Sequence, residues 1–179
     1  MLVGLSNGGR VISNIASRYS NKIKKLIYVS PSGFHDNNEN PDTSVITDKD
    51  INDFIINEFP TIAKGQLSDF KYPKNFAGYW DVKYEKLLKF KGFARAIIST
   101  SKNNYLLDEM NAKIGTSDLP LFAIWGDSDS VLPFMQIENK IFKIMPELNL
   151  FIIKDSGHLP HMEQTNSFNN IFFNKILNQ

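Results

Sequence analysis

Apolar positions along the chain fall into short continuous runs separated by longer stretches of helical spacing. Four runs have the length and composition of buried strands: Met1–Val3, Lys25–Val29, Leu119–Trp125 and Leu148–Ile153. Strands that alternate with helices are expected to lie parallel and to be joined by right-handed crossovers. The pattern therefore predicts an α/β fold with a parallel sheet and flanking helices.

The helical stretches have recognisable ends. The first opens at Gly8 and places Val11, Ile12, Ile15, Ala16 and Tyr19 on one face. Thr47 precedes Asp48 and Asp50, an arrangement typical of a helix N-cap, and we expect that helix to end before Pro60. Further helices are predicted over Gly92–Asn103, Gln136–Met145 and Ser167–Leu177.

The middle of the chain lacks a clear period. Residues His35–Thr43 form a polar loop, and Lys64–Phe90 is dense in aromatic residues, namely Phe70, Tyr72, Phe76, Tyr79, Trp80 and Tyr84. Such residues more often pack together than contact a substrate. We predict three parts: core sheet over 1–33, a helical cap insertion over 34–90 that covers the site, and core sheet over 91–179.

The stretch Gly4-Leu5-Ser6-Asn7-Gly8 turns sharply from strand to helix. A serine at such a turn is held at a strained backbone position with its hydroxyl exposed above the sheet edge. We expect both flanking glycines to be required, because a Cβ at either position would collide with a neighbouring element. The Asn7 N–H at the helix N-terminus can stabilise an oxyanion formed beside Ser6.

Three residue types needed for nucleophilic catalysis follow three predicted strands. Ser6, Asp129 and His158 all lie beyond strand carboxyl ends, which meet at one edge of a parallel sheet. Serine is unreactive without a base, and histidine can accept its proton and return it to a leaving group. A carboxylate holds the imidazole in the required tautomer. The sequence therefore predicts a nucleophile, an acid and a base at one edge.

Other residues compete for these roles. Asp127 is an alternative acid, although a turn carboxylate in this position is more typically solvated. His161 is an alternative base, but it lies in the following turn, where capping or packing is more usual. We expect His35 to be exposed to solvent, and Arg10 to make a surface or sheet-edge contact rather than to bind substrate.

The segments Gly4–Arg10, Ile124–Pro133 and Gly157–Glu163 together closely resemble the α/β-hydrolase family, in particular esterase-like members with a helical cap. The resemblance covers the whole chain. It implies that Ser6 is the nucleophile, that Asp129, the third residue after Gly126, is the acid, and that His158 is the base. It further implies hydrolysis of an ester or a related acyl or C–C bond, or acyl transfer to another acceptor. A serine nucleophile argues against the dehalogenase branch of the family.

The start of the chain departs from that family. Members of the family have earlier strands before the serine turn and a second oxyanion donor from the loop after their third strand. We therefore expect this sequence to be the C-terminal part of the fold. It would be a truncated gene model, a remnant, or one half of a split protein with a separately encoded N-terminal half. The second functional hypothesis is a catalytically impaired fragment or a non-catalytic ligand-binding relative.

Charge and composition limit the classes of partner and cofactor that we expect for this chain. The 179 residues carry a net charge of +1, so nothing favours nucleic acid or an anionic membrane as a partner. The absence of cysteine excludes disulfides and thiolate chemistry. No glycine-rich phosphate loop or metal-ligand spacing is present, so we expect no cofactor or metal. The family resemblance implies a small-molecule acyl substrate. With neither a signal peptide nor a long apolar run recognised, we expect a cytoplasmic location.

Overall fold

Four strands form a single parallel sheet at the centre of the computed structural model, which describes residues 1–35 and 38–178. The strands lie in chain order: β1 (Leu2–Leu5), β2 (Leu26–Val29), β3 (Leu121–Gly126) and β4 (Asn149–Ile153). Each neighbouring pair is parallel. The predicted α/β class is confirmed, and all four predicted strands are present with ends shifted by no more than two residues.

Helices connect and follow these strands. They are α1 (Asn7–Tyr19), α2 (Asp48–Gly65), α3 (Trp80–Leu87), α4 (Phe93–Lys102), α5 (Asp108–Gly115), α6 (Glu138–Ile144), α7 (Pro160–Glu163) and α8 (Thr165–Asn169). Single 3₁₀ turns occur at Ser20–Lys22, Gln66–Asp69, Pro73–Asn75 and Phe134–Gln136, and the chain continues from α8 in a π-helical segment over Asn170–Leu177. Helix α5 has no counterpart among the predicted helices. No described helix has the length and apolarity needed to cross a membrane.

Side chains alternate between the two faces of the sheet, and each face has its own core. On one face, Leu26 and Tyr28 from β2 pack with Leu121, Ala123 and Trp125 from β3. Residues from α1, α5 and α6 cover this face, including Ile12, Ala16, Ile114 and Ile141. On the other face, Ile27, Phe122, Ile124 and Ile153 pack under the C-terminal segment through Phe168, Ile171, Phe172 and Ile176. Burial of both faces explains why β2 and β3 are apolar at every position.

The larger core contains a buried pair of hydroxyl groups. The Tyr28 hydroxyl is hydrogen-bonded to Ser13 Oγ at 2.8 Å, which joins β2 to α1. Burial raises the pKa of Tyr28, and the hydrogen bond with Ser13 partly opposes the rise. This pair satisfies both hydroxyls inside an otherwise apolar layer.

Helices α2, α3 and α4 pack against one another through aromatic rings. Phe93 lies edge-on to Phe59 at 6.4 Å and to Tyr84 at 5.9 Å, measured between ring centroids. The predicted N-cap at Thr47 is confirmed, because its side chain accepts a hydrogen bond from Asp50 N in a reciprocal capping box. The extent of the cap insertion, 34–90, stays a prediction.

The predicted end of α2 before Pro60 is wrong. Pro60 lies inside the helix, which continues to Gly65. Proline inside a helix removes one hydrogen bond and crowds the carbonyl four residues earlier, which costs ~3 kcal/mol or more and must be offset by packing. Phe59 packs on Phe54 of the preceding turn and on Phe93 of α4, so the helix is anchored immediately beside the proline.

Candidate active site

The turn between β1 and α1 holds Ser6 in a strained conformation. Its φ is 50° and its ψ is −121°, a region that residues other than glycine rarely adopt. Hydrogen bonds fix the turn on both sides: Ser6 N–H donates to the Val29 carbonyl at 3.0 Å, and the Ser6 carbonyl accepts from Gly9 N at 2.8 Å and Ser32 N at 3.0 Å. The serine is thus held at the carboxyl end of β1 by the end of β2.

Two glycines make this turn possible, but only one of them, Gly4, is among the two that the spacing indicated. A Cβ on Gly4 would collide with the Gly8 carbonyl group, as predicted. A Cβ on Gly8 would meet no other described residue, so the predicted requirement for glycine there is wrong. The close approach is instead at Gly9, where a Cβ would lie 2.5 Å from Pro31 Cβ. Helix α1 therefore packs on the end of β2 through Gly9.

Asn7 is the first residue of α1. N–H groups in the first turn of a helix have no partner within the helix and lie at the positive end of its dipole. The Asn7 N–H therefore lies next to Ser6 at the start of α1, and its role as an oxyanion donor stays a prediction.

The loop after β3 buries Asp129, which is 5% exposed. Its Oδ1 accepts hydrogen bonds from the backbone N–H groups of Val131 and Leu132, both at 2.9 Å. Its Oδ2 accepts from Trp125 Nε1 at 3.1 Å and lies 2.9 Å from His158 Nδ1. Four donors therefore satisfy a carboxylate that has almost no access to water.

His158 lies in the turn after β4 and is 3% exposed. Because the Asp129 oxygen is an acceptor, Nδ1 of His158 carries the proton of this hydrogen bond. The Nε2 atom of the neutral ring is then left as an acceptor for a serine hydroxyl. The backbone N–H of His158 donates to the Asp69 carbonyl at 2.7 Å, so the base is held at both its ring and its main chain.

The sheet topology gathers these residues at one edge. Ser6 follows β1, Asp129 follows β3 and His158 follows β4, and all four strands point the same way. The structure brings Asp129 and His158 into direct contact and places the Ser6 turn on the same edge, where ligands bind in open parallel sheets.

A sequence profile of the alpha/beta hydrolase fold matches residues 1–165 of the chain. The chain belongs to the α/β-hydrolase family. Lipase 1 from Psychrobacter immobilis is 24% identical over 168 residues, a match that covers 89% of this chain and 50% of that protein. The chain therefore spans about half the length of this curated relative.

Solved structures share the α/β-hydrolase fold with this chain at low identity. The bromoperoxidase from Bacillus anthracis superposes with a TM-score of 0.72 at 17% identity, over 93% of this chain and 63% of its own. The 2-hydroxy-6-oxo-6-phenylhexa-2,4-dienoate hydrolase from Rhodococcus sp. strain RHA1 gives 0.71 at 16% identity, over 96% and 62%. A thermophilic esterase from Thermogutta terrifontis gives 0.64 at 18%, over 93% and 60%.

Asp127, the alternative acid, lies on the exposed side of the same loop. Burial alone would raise the pKa of Asp127, but hydrogen bonds from Ser128 Oγ and from the backbone of Asp155 and Ser156 lower it below its ordinary value. Its Oδ1 is 2.8 Å from Ser128 Oγ. No contact between this carboxylate and His158 occurs among the described residues, so of the two acids only Asp129 has the geometry to orient the base.

Two further residues differ from expectation. His35 is half-buried: its Nε2 is 3.1 Å from the Pro133 carbonyl, and its ring lies 6.3 Å from that of Trp125. Arg10 is 6% exposed, and its Nη2 donates to the carbonyls of Asn103 at 2.8 Å and Tyr105 at 2.7 Å. The expected exposure of His35 is therefore wrong. For Arg10 the surface alternative is wrong, because its side chain is buried and joins the start of α1 to the segment after α4.

His161 packs against Phe168, with ring centroids 5.9 Å apart. Burial lowers the pKa of His161, and the nearby charge of His158 lowers it further. The neutral form is therefore favoured at this position in the folded chain.

Sequence reasoning missed Asp69, which ends the 3₁₀ turn after α2. Its backbone carbonyl accepts from the His158 N–H. Burial raises the pKa of Asp69, the charge of His158 opposes that rise, and Asp129 adds to it. A second carboxyl group, besides that of Asp129, thus belongs to the electrostatic environment of His158. No periodicity around Asp69 indicated this, because the contact depends on the fold and not on the local sequence.

Replacing Gly4 by alanine is expected to destabilise the chain, because the new Cβ has to displace the Gly8 carbonyl. Overpacking of this kind costs ~1–3 kcal/mol. Gly8→Ala is the matched control: the site is open, and alanine favours a helix over glycine by up to ~1 kcal/mol. Urea unfolding followed by circular dichroism measures the free energy of unfolding of both variants. Equal losses of stability in the two would contradict this description of the turn.

Stability is expected to fall in mild acid partly through His161. Since the pKa of His161 is lower in the folded chain, the unfolded chain binds more protons as pH drops below ~6.5, the ordinary histidine value. The free energy of unfolding therefore decreases with decreasing pH in this window. His161→Gln should show a shallower decrease between pH 7.5 and 5 in urea titrations than the unaltered chain. Identical pH profiles would show that His161 does not contribute.

Proposed function

We propose that this chain carries the site of a serine hydrolase, in which Ser6 is the nucleophile, His158 the general base and Asp129 the residue that orients the base. The observation that carries the proposal is the buried 2.9 Å hydrogen bond between Asp129 and His158 Nδ1, on the same sheet edge as the strained Ser6 turn. Family membership supports a hydrolase at the coarser level.

The proposed reaction follows from the hydrogen-bond directions. His158 Nε2 accepts the Ser6 hydroxyl proton as the oxygen forms a bond to the substrate carbonyl carbon. The negative charge that develops on the carbonyl oxygen is stabilised by the Asn7 N–H. The protonated imidazole, held by Asp129, then donates its proton to the leaving group, which departs as the acyl-serine forms. Water, deprotonated by His158, hydrolyses the acyl-serine and regenerates Ser6.

The named relatives support a small acyl compound as the substrate class. They include a lipase, an esterase and a dienoate hydrolase, so an ester or a related acyl or C–C bond is the bond that we propose is cleaved.

A serine-directed fluorophosphonate probe is expected to label the 179-residue chain at Ser6. The probe reacts only where a base activates the hydroxyl, so Ser6→Ala should abolish labelling. Ser13→Ala provides a matched control, because Ser13 is buried and bonded to Tyr28 away from the sheet edge. Intact-mass and peptide mass spectrometry identify the labelled residue. Label on another serine would contradict the assignment, and a folded chain without label would favour a ligand-binding protein without turnover.

Asp129→Asn is expected to lower the labelling rate or turnover by up to ~10⁴, the loss known for the equivalent change in serine proteases. The asparagine amide would accept from Val131 and Leu132 only by turning its NH₂ group toward His158 Nδ1, which forces the wrong tautomer. Asp127→Asn is the control and should cost less than about tenfold, because its side chain is exposed. A larger loss at Asp127 than at Asp129 would show that Asp127 is the acid.

A further inference from the structure

The segment that carries His158 ends at Glu163, the last residue of α7, to which the proposed chemistry gives no part. Glu163 Oε2 accepts a hydrogen bond from Gly157 N at 2.5 Å, next to the base. Glu163 Oε1 accepts from Lys71 N at 2.8 Å and faces Tyr72 N at 3.4 Å. A single carboxylate therefore joins the turn before His158 to a segment about ninety residues earlier in the chain.

That earlier segment, Ser68–Tyr72, is called the brace from here on. Its Asp69 carbonyl accepts the His158 N–H at 2.7 Å. The Ser68 carbonyl accepts from Ser130 Oγ at 3.2 Å, beside the acid. Together with Glu163, these contacts attach the brace to the loops of both Asp129 and His158.

The contact between the brace and the base turn leaves no space. A Cβ on Gly157 would lie 2.6 Å from the Asp69 carbonyl oxygen and 2.7 Å from Lys71 N. The main chains of the two segments therefore touch directly. The Glu163 carboxylate accepts hydrogen bonds from one N–H group on each side of this contact, Gly157 N and Lys71 N. An N–H left without its acceptor here would cost free energy, so the arrangement depends on the carboxylate.

We propose that Glu163 is a positioning residue: it locks the brace against Gly157 and so fixes the main chain of His158 relative to Ser6. The catalytic consequence rests on the function proposed above. A displacement of about 1 Å in a catalytic group can cost about 10²-fold in rate, while substrate binding elsewhere is preserved. Glu163 therefore acts on the chemical step through His158 and touches no reacting atom.

The test compares Glu163→Ala and Glu163→Gln with Glu147→Ala, the same change at an exposed glutamate before β4. The first readout needs no activity: NMR follows amide hydrogen exchange at Gly157, Lys71 and His158, together with the proton on His158 Nδ1. Glu163→Ala should lose protection at these amides and weaken the Nδ1 proton signal. Glu163→Gln keeps one acceptor oxygen and should be intermediate, and Glu147→Ala should resemble the unaltered chain.

The second readout is fluorophosphonate labelling of Ser6, resolved into probe affinity and the rate constant of bond formation. In Glu163→Ala the rate constant should fall about 10- to 100-fold, with probe affinity changed by less than about threefold. Circular dichroism confirms that each variant is folded, and the glutamine variant serves if the alanine variant is not. Partial recovery of the rate in Glu163→Gln separates positioning from a general loss of structure.

The two readouts separate the two proposals. Unchanged exchange and an unchanged Nδ1 proton in Glu163→Ala would overturn the positioning role, whatever the labelling. Lost protection with an unchanged rate constant would overturn its catalytic consequence. Lost protection in a chain whose Ser6 never reacts would support Glu163 as the residue that holds His158 and would instead overturn the proposed hydrolase function.

Discussion

The site depends on satisfying one carboxylate that is removed from water. A buried carboxylate without partners costs several kcal/mol, so Asp129 can lie at 5% exposure only because four donors surround it. The donors come from different parts of the chain: Trp125 in β3, two backbone N–H groups in the following loop, and the His158 ring after β4. Moving any of these segments removes part of the compensation of the buried charge, so the interaction that orients the His158 ring also ties the end of β3 to the turn after β4.

His158 is constrained by its main chain as well as by its ring. Two hydrogen bonds hold this turn to the brace: His158 N–H donates to the Asp69 carbonyl, 89 residues away, and Lys71 N–H donates to the Glu163 carboxylate, 92 residues away. Because these bonds use backbone atoms of the brace, they place a segment of the α2–α3 connection directly against the turn that carries His158. A displacement of that connection therefore displaces the main chain of His158.

The sequence was informative where the cause of a structure is local. The apolar runs predicted the strands, and the capping box at Thr47 involves residues within four positions of one another. Because Ser6, Asp129 and His158 each follow a strand, a parallel sheet places all three at one edge. It failed where distant packing decides. Pro60 is accommodated because Phe59 packs on Phe93. The close contact that requires a glycine is between Gly9 and Pro31, whereas the space beside Gly8 holds no other described residue. The sequence did not indicate the contacts of the brace and of Glu163 for the same reason, since they join segments that no periodicity relates: the brace through its backbone and Glu163 through its carboxylate.

Strain in the described chain is concentrated where the site lies. The residues other than glycine with positive φ there are Ser6, Ser30 and Asp155, which follow β1, β2 and β4 within two residues of the strand ends. Each such conformation costs ~1–3 kcal/mol, a large amount against a typical net stability of ~5–15 kcal/mol. The cost is carried by β2 and β3, whose residues are buried on both faces and whose hydrogen bonds extend into the turns, as from Ser6 N to Val29 and from Ser30 N to Ile124. The sheet thus holds the turns at its own carboxyl edge in strained conformations, and that edge carries Ser6, Asp129 and His158.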